Sequence, residues 1–282
     1  MLGLIAGQGA LPLEIARAAR RRGRPLVALA LRGFAAPELA GHAERIHWFA
    51  PGEVGAALRA LEESGAREVV LAGKVPRAAL FAGSGAAPLA LDARARAELA
   101  ALSDRRDGSI LARVVAGLEA AGLRVLPQAE LVPELVAGPG PLGRVAPSEA
   151  QRRDIAAGIP VARALAGLDV GQTVVLKDGV VLAVEAIEGT DEAIQRGGGF
   201  AAEATVIKLA RPEQDPRFDL PAVGPDTLDA LLRVRARCLA VEAGRTLLLD
   251  REGLCQRADE SGIALFGVVV GTRASRDAGG AS

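Results

Sequence analysis

The sequence predicts an α/β protein with two parts: an N-terminal Rossmann-like parallel-sheet domain and a C-terminal mixed α/β domain. Three observations predict it. Short apolar runs alternate with amphipathic stretches through the first half, the order of a doubly wound sheet. Residues 136–147 read Val-Ala-Gly-Pro-Gly-Pro-Leu-Gly-Arg-Val-Ala-Pro, which breaks helix and strand alike and suits a Gly/Pro-rich linker. Beyond it a long helix followed by a hairpin signal begins a different order of elements. The expected division is residues 1–134, a linker over 135–147, and residues 148–282, and a chain of 282 residues is long enough for two cores.

Each element has a local reason. Residues 2–6 form a buried-type strand, and Gly7-Gln8-Gly9 turns the chain into a helix over 12–22, with Leu13, Ala16 and Ala19 on one side. Strands follow at 25–31 and 45–49, then a helix over 54–64 that stops at Gly65. A strand over 67–72 closes on Gly73. Helical spacing recurs over 92–102 and 109–121, before a short strand at 124–126. After the linker come a long helix over 149–168, strands at 173–176 and 180–187 around Lys177-Asp178-Gly179, and a short helix over 191–196. A strand at 205–210, a helix over 227–236, and strands at 239–241, 246–249 and 264–270 complete the pattern.

Composition excludes several functions. Lys+Arg and Asp+Glu are equal at 34, and only six Phe and one Trp occur. Neither a basic excess nor a stacking platform for nucleic acid is present. The histidines, His42 and His47, and the cysteines, Cys238 and Cys255, lack the spacing of a zinc site. Two cysteines in such a chain fit reduced, cytosolic thiols, with Cys238 in the core and Cys255 on a helix. No apolar run is long enough to span a membrane, and the opening residues lack the features of a signal peptide. Only three lysines occur, Lys74, Lys177 and Lys208.

Four stretches carry chemistry. Gly7-Gln8-Gly9 between strand and helix allows backbone to approach a phosphate. It is incomplete as an NAD fingerprint, because the second strand ends at Leu31-Arg32 with no acid. Lys74 and Arg77 follow a strand at the edge where open parallel sheets bind ligands, and the apolar stretch 78–91 after them is a packed loop or a lipid surface. Glu188 and Asp191 flank a glycine turn and resemble a hard-cation site, although Thr190 or Asp191 also suits a helix N-cap. Glu185, on an apolar strand, needs a partner if buried. Residues 208–224 pack Lys208, Arg211 and Arg217 beside Glu213, Gln214, Asp215 and Asp219 on a proline-rich loop. That is the material of metal-assisted phosphoryl transfer or of a self-neutralising salt-bridge network.

In order along the chain stand Gly3-Leu-Ile-Ala-Gly-x-Gly-x-Leu-Pro12, Ala72-Gly-Lys-Val-x-Arg77, Asp169-Val-Gly-Gln172, Leu182-Ala-Val-Glu-Ala-x-Glu-Gly-Thr-Asp191 and Gln214-Asp-x-Arg-Phe-Asp-Leu-Pro221. With these motifs the sequence resembles the LpxI-type UDP-2,3-diacylglucosamine pyrophosphatases of lipid A biosynthesis. The resemblance implies a Mg2+-dependent hydrolase in which water attacks the α-phosphorus, giving UMP and 2,3-diacylglucosamine 1-phosphate. It implies Asp219 as metal ligand or general base, and Thr190 and Asp191 as ligands of metal or diphosphate. With the motif positions added, the expected substrate-binding set is Gly7, Gln8, Gly9, Lys74, Gln172, Thr190, Lys208, Gln214 and Arg217. The expected metal set is Glu188, Asp191 and Asp219. Arg106-Asp107-Gly108 departs from the Gly-Asp-Asp that relatives often carry. The expected setting is the cytoplasm, with transient contact at the inner-membrane surface, where Arg20, Arg21, Arg22 and Arg24 suit anionic lipid or a helix C-terminus. A homodimer is suggested by the resemblance. An NAD(P)-dependent oxidoreductase and a non-catalytic nucleotide- or lipid-binding module are the alternatives.

Overall fold

The computed structural model describes residues 1–75, 91–101 and 107–271. Arg77, most of the apolar stretch after it, Arg106 and the tail from Thr272 lie outside the described residues, as does the side chain of Asp107. The chain divides into two compact units. One is Met1–Leu135 with Glu213–Leu220, and the other is Val136–Pro212 with Pro221–Ser282.

Among the described residues the first unit holds a five-stranded parallel sheet in the order β3-β2-β1-β4-β5. Its strands are β1 (Leu2–Ala6), β2 (Leu26–Leu31), β3 (Arg45–Phe49), β4 (Glu68–Ala72) and β5 (Arg124–Val125). β1 and β2 are almost wholly buried, which requires cover on both faces. Helix α1 (Leu11–Arg21) buries Leu11, Ile15, Ala16, Ala18 and Ala19 and packs on β1, β2 and β4. Helices α2 (Val54–Glu63) and α4 (Asp107–Ala120) supply Leu58, Leu61, Val115 and Leu118 to a cluster with Val27, Leu29, Val69 and Leu71. α3 (Ala93–Ala100) packs on α2, and the short α5 (Gln128–Leu131) follows β5.

The second unit holds a six-stranded mixed sheet in the order β6-β13-β11-β9-β7-β8. The strands are β6 (Gly140–Pro141), β7 (Thr173–Lys177), β8 (Val180–Val184), β9 (Thr205–Lys208), β11 (Cys238–Glu242) and β13 (Ala264–Val268). β9, β11 and β13 run parallel; β7 is antiparallel to both β8 and β9. The two faces follow the period of two expected of strands. Val174, Leu176, Ile207, Cys238 and Ala240 meet Ile155 and Ala162 of α6 (Glu149–Gly167). Val175, Val206, Leu239 and Val241 meet Ile194, Leu228, Leu231 and Leu254. Those last residues come from α7 (Thr190–Gly198), α8 (Pro225–Arg233) and α9 (Arg251–Glu260). A small parallel pair, β10 (Ala222–Val223) with β12 (Leu247–Leu248), lies apart from the main sheet. α6 starts on a full capping box between Ser148 and Gln151.

Three expectations about boundaries differ from the structure. The Gly/Pro stretch is not a free linker: residues from Val136 onward belong to the second unit, and β6 pairs antiparallel with β13. Glycine serves close packing there, since a Cβ on Gly267 would stand 1.8 Å from the Gly138 carbonyl oxygen. The proline-rich loop 213–220, expected in the C-terminal domain, packs in the first unit, where Phe218 joins the apolar cluster. The strand expected over 180–187 ends at Val184; the Glu185 amide still donates to Thr173, and the turn comes at residues 187–188.

Candidate active site

In the first unit the sheet order reverses between β1 and β4, the switch point where open α/β sheets bind ligands. Gly7-Gln8-Gly9 leaves β1 there and Gly73-Lys74 leaves β4. The two loops clasp each other: the Gln8 amide donates to the Lys74 carbonyl oxygen at 2.8 Å, and the Lys74 amide returns a bond to Gln8 at 2.9 Å. A Cβ on Gly7 would stand 2.6 Å from the Lys74 oxygen, and one on Gly73 would stand 2.7 Å from Gly7 carbon. Both glycines are therefore required by backbone approach. The first amides of α1 have no side-chain cap, so they remain available to an anion beside the exposed Lys74.

The loop 213–220 joins the same edge of this sheet. Gln128 donates its side-chain amide to the Leu71 carbonyl oxygen at the end of β4, and its backbone amide donates to Pro216. Arg217 clamps Asp215 at 2.7 Å and also reaches Glu119 at 2.8 Å. The Arg217 guanidinium holds the Asp215 carboxyl below the usual aspartate range. The Asp219 amide donates to the Asp215 carbonyl oxygen at 3.0 Å. Gln214 is buried and Asp219 is half-buried. Gly7, Gln8, Gly9 and Lys74 thus meet at the carboxyl edge of this sheet, and Gln214, Arg217 and Asp219 belong to the same unit.

In the second unit Gln172, Thr190 and Lys208 gather at the carboxyl edge of β9. The antiparallel register sets Thr173 opposite Lys208. Lys208 is 6% exposed, and its Nζ donates to Thr190 Oγ1 at 2.9 Å. The Thr190 hydroxyl in turn donates to Glu185 Oε1 at 3.1 Å, and Thr173 Oγ1 lies 3.3 Å from the same hydroxyl. Glu185 also takes the Gln172 amide on Oε2 at 3.3 Å. Its need for partners is met, which explains a carboxylate 8% exposed at the end of an apolar strand. Gly171 permits this turn, since a Cβ would stand 2.1 Å from the Glu185 carbonyl oxygen. Asp169, at a positive φ of 56°, pairs with Arg211. The N-cap of α7 is Gly189 without a side-chain bond, not Thr190 or Asp191. Thr190 is instead the first helical residue and is committed to Lys208 and Glu185. Asp191 Oδ1 accepts from Thr227 at 3.1 Å.

Glu188 lies outside this network. Its oxygens accept from Arg196 at 2.6 Å and from the Ala186 amide at 3.2 Å, and Arg196 pulls its carboxyl below the usual glutamate range. Among the described residues no three His, Cys, Asp or Glu side chains converge as a metal cage. Mg2+ does not need one, since it binds through one or two carboxylates plus substrate phosphates. Cys238 is buried, its thiol pushed up to about 12 by desolvation, so it is no nucleophile. Cys255 lies on α9 as expected and donates to the Leu142 carbonyl oxygen. Among the described residues no helix is long and apolar enough to cross a membrane.

Thr173, Glu242 and Gln128 were not singled out as site residues. Thr173 and Lys208 meet only through strand register, which has no local signature. Glu242 ends an apolar strand, and that anomaly was visible at Glu185 in the same form.

Two family models match this sequence: the LpxI N-terminal domain over residues 1–135 and the LpxI C-terminal domain over 138–266. A curated protein of Caulobacter vibrioides, the UDP-2,3-diacylglucosamine pyrophosphatase LpxI, is 35% identical over 279 residues, covering 95% of this chain and 97% of that protein. Among solved structures, the biotin carboxylase domain of a single-chain bacterial carboxylase covers 49% of this chain and 30% of its own at 18% identity, with a TM-score of 0.28. The biotin carboxylase–β-γ-ATP complex from Campylobacter jejuni covers 70% and 41% at 12% identity, also with a TM-score of 0.28. This chain spans less than half of either, and likeness that low adds nothing to fold or function.

Proposed function

The chain belongs to the LpxI family, and from that premise we propose that it hydrolyses the pyrophosphate of UDP-2,3-diacylglucosamine in lipid A biosynthesis. The products are UMP and 2,3-diacylglucosamine 1-phosphate. The observation that carries the reading is 35% identity over 95% of this chain to a pyrophosphatase of that name. Two features fit a diphosphate ligand. Each unit sets a lysine, Lys74 or Lys208, near a helix N-terminus that lacks a side-chain cap, and both the ammonium and the free amides favour phosphate oxygens.

Water attacks the α-phosphorus, and the bond from that phosphorus to the bridging oxygen breaks. The sugar phosphate leaves with the bond electrons. Asp219 supplies the carboxylate, either taking a proton from the attacking water or holding the metal. Bound Mg2+ would neutralise charge on the phosphate oxygens; Asp219 in the first unit and Asp191 in the second are separate candidates to hold it. Glu188 would join them only by releasing Arg196. Lys208, kept in place by Thr190 and Glu185, would bind phosphate oxygens and cancel charge as the leaving group departs. Gln172, Gln214, Arg217 and the Gly7–Gly9 turn complete the proposed substrate contacts. A substrate with two acyl chains implies transient contact with the inner-membrane surface from the cytoplasmic side, and we carry a homodimer as part of the same proposal.

Asp219→Ala tests the reading. The variant is expected to lose UMP release by about a thousandfold or more while its circular dichroism and melting stay those of the parent. Turnover unchanged in a folded variant contradicts the assignment.

A further inference from the structure

The ladder between β4 and β5 ends on a substitution. Parallel strands exchange evenly spaced backbone bonds, here at every second residue. The Arg124 amide donates to the Arg67 carbonyl oxygen at 2.9 Å, and the Leu126 amide donates to that of Val69 at 2.8 Å. The same step would pair the amide of residue 128 with the Leu71 oxygen. The Gln128 side chain fills that place instead, its Nε2 donating to the Leu71 oxygen at 2.8 Å. Its backbone amide is turned away and donates to the Pro216 carbonyl oxygen at 3.2 Å. Pro216 belongs to the segment 213–220, which packs in the same unit and carries Asp219.

One residue thereby satisfies two acceptors. Pro127 precedes it and α5 starts at Gln128, so the chain leaves the strand here, and the first amides of a helix need partners outside it. A leucine or methionine of similar size would leave either the Leu71 or the Pro216 oxygen without this donor. Glutamine carries a cost at the site: it is 3% exposed, and among the described residues its Oε1 has no hydrogen-bond partner. A buried carbonyl oxygen left unpaired is destabilising, so bulk alone does not account for a glutamine here. The segment it holds has no regular secondary structure of its own between β9 and β10. Phe218 and the Arg217–Glu119 pair hold that segment through side chains, whereas Gln128 holds its main chain, three residues before Asp219.

We propose that Gln128 is a positioning residue: its carboxamide takes its own backbone's place in the β4 ladder, and the amide so released seats Pro216 and with it the segment that carries Asp219. All the groups involved lie in the first unit. Gln128 touches no substrate and acts through Asp219. The catalytic consequence rests on the pyrophosphatase reading; the seating of the segment does not.

Amide hydrogen exchange, thermal melting and steady-state kinetics on the full chain test it, with Gln128→Met compared against wild type. Methionine keeps the length and shape of the side chain and removes both the donor and the unpaired oxygen. The amides of residues 217–219, which bond within the segment, are expected to exchange about tenfold faster or more, with β1 and β2 unchanged. The kcat for UMP release at saturating substrate is expected to fall about ten- to a hundredfold, while the melting temperature stays within about 3 °C of wild type. Gln128→Asn keeps the carboxamide but shortens its reach; it is expected to show the same loss of protection and of kcat, and it decides if Gln128→Met does not fold. A merely structural role predicts a lower melting temperature, faster exchange throughout β1, β2 and β4 and unchanged kcat per folded molecule, and that pattern overturns the proposal. Wild-type exchange over residues 217–219 in a folded variant overturns it as well. So does a residue 128 amide that exchanges in the wild-type protein as fast as an open loop, a measurement that needs no variant. A wild-type protein that releases no UMP contradicts the functional reading instead, and the exchange pattern still decides whether Gln128 seats the segment.

Discussion

Replacing Thr190 with valine removes one oxygen from the centre of the second unit's polar cluster while keeping the shape of the side chain. The hydroxyl accepts from Lys208 at 2.9 Å and donates to Glu185 at 3.1 Å. Both partners are more than nine-tenths buried, so water does not readily replace the lost bonds. A hydrogen bond to a charged group contributes about 1.5–3 kcal/mol. Glu185 keeps the Gln172 amide, and Lys208 keeps other interactions, which places the total near the lower end, about 2–4 kcal/mol. Threonine and valine have similar helix propensity, so α7 itself adds little. The unfolding transition of the variant should fall by about 5–15 °C, followed by circular dichroism or differential scanning calorimetry. Thr190→Ser restores the oxygen and should recover most of the loss. A valine variant that melts within about 1 °C of wild type would refute the idea that this hydroxyl links the two buried charges.

Other perturbations separate packing from electrostatics. Gly158 lies inside α6, where a Cβ would stand 2.1 Å from Ile207 and 2.7 Å from Leu176; Gly158→Ala should cost about 1–3 kcal/mol in urea unfolding. Gly117 in α4 has open space around it, so Gly117→Ala should stabilise by about 0.5–1 kcal/mol, and equal effects at the two sites would count against the packing described. Arg217 depresses the Asp215 pKa in the folded state from its ordinary 3.8. The contribution of that pair is therefore complete above pH 3.8 and is lost as pH falls through the lower folded value. The stability gap between wild type and Asp215→Asn should narrow when urea midpoints at pH 3 are compared with those at pH 6, whereas a gap that widens on acidification would reverse the sign of the linkage.

Much of the fold was legible because its signals are local. The apolar runs of β1, β2 and β4 must be buried on both faces, and Gly65 and Gly122, both at positive φ, stop their helices where expected. Clustering of Gly7, Gln8, Gly9 and Lys74 at a sheet edge follows from strand order alone. What was not legible depends on partners distant in sequence. Nothing near Gly140 says that it will pair with Gly267, so a stretch that forms an edge strand reads as a linker. Thr173 meets Lys208 only once β7 and β9 have chosen their register. Residues 213–220 look like a solvated loop until Phe218 finds the apolar cluster of the first unit. That aromatic, standing among charges and prolines, was the available sign that the loop packs.

The most direct test is hydrolysis of UDP-2,3-diacylglucosamine by the purified protein with Mg2+ in water enriched in oxygen-18, with products read by mass spectrometry. The account predicts UMP carrying the heavy oxygen and unlabelled 2,3-diacylglucosamine 1-phosphate, because water enters at the α-phosphorus. Label in the sugar phosphate, or no UMP at all, would contradict it.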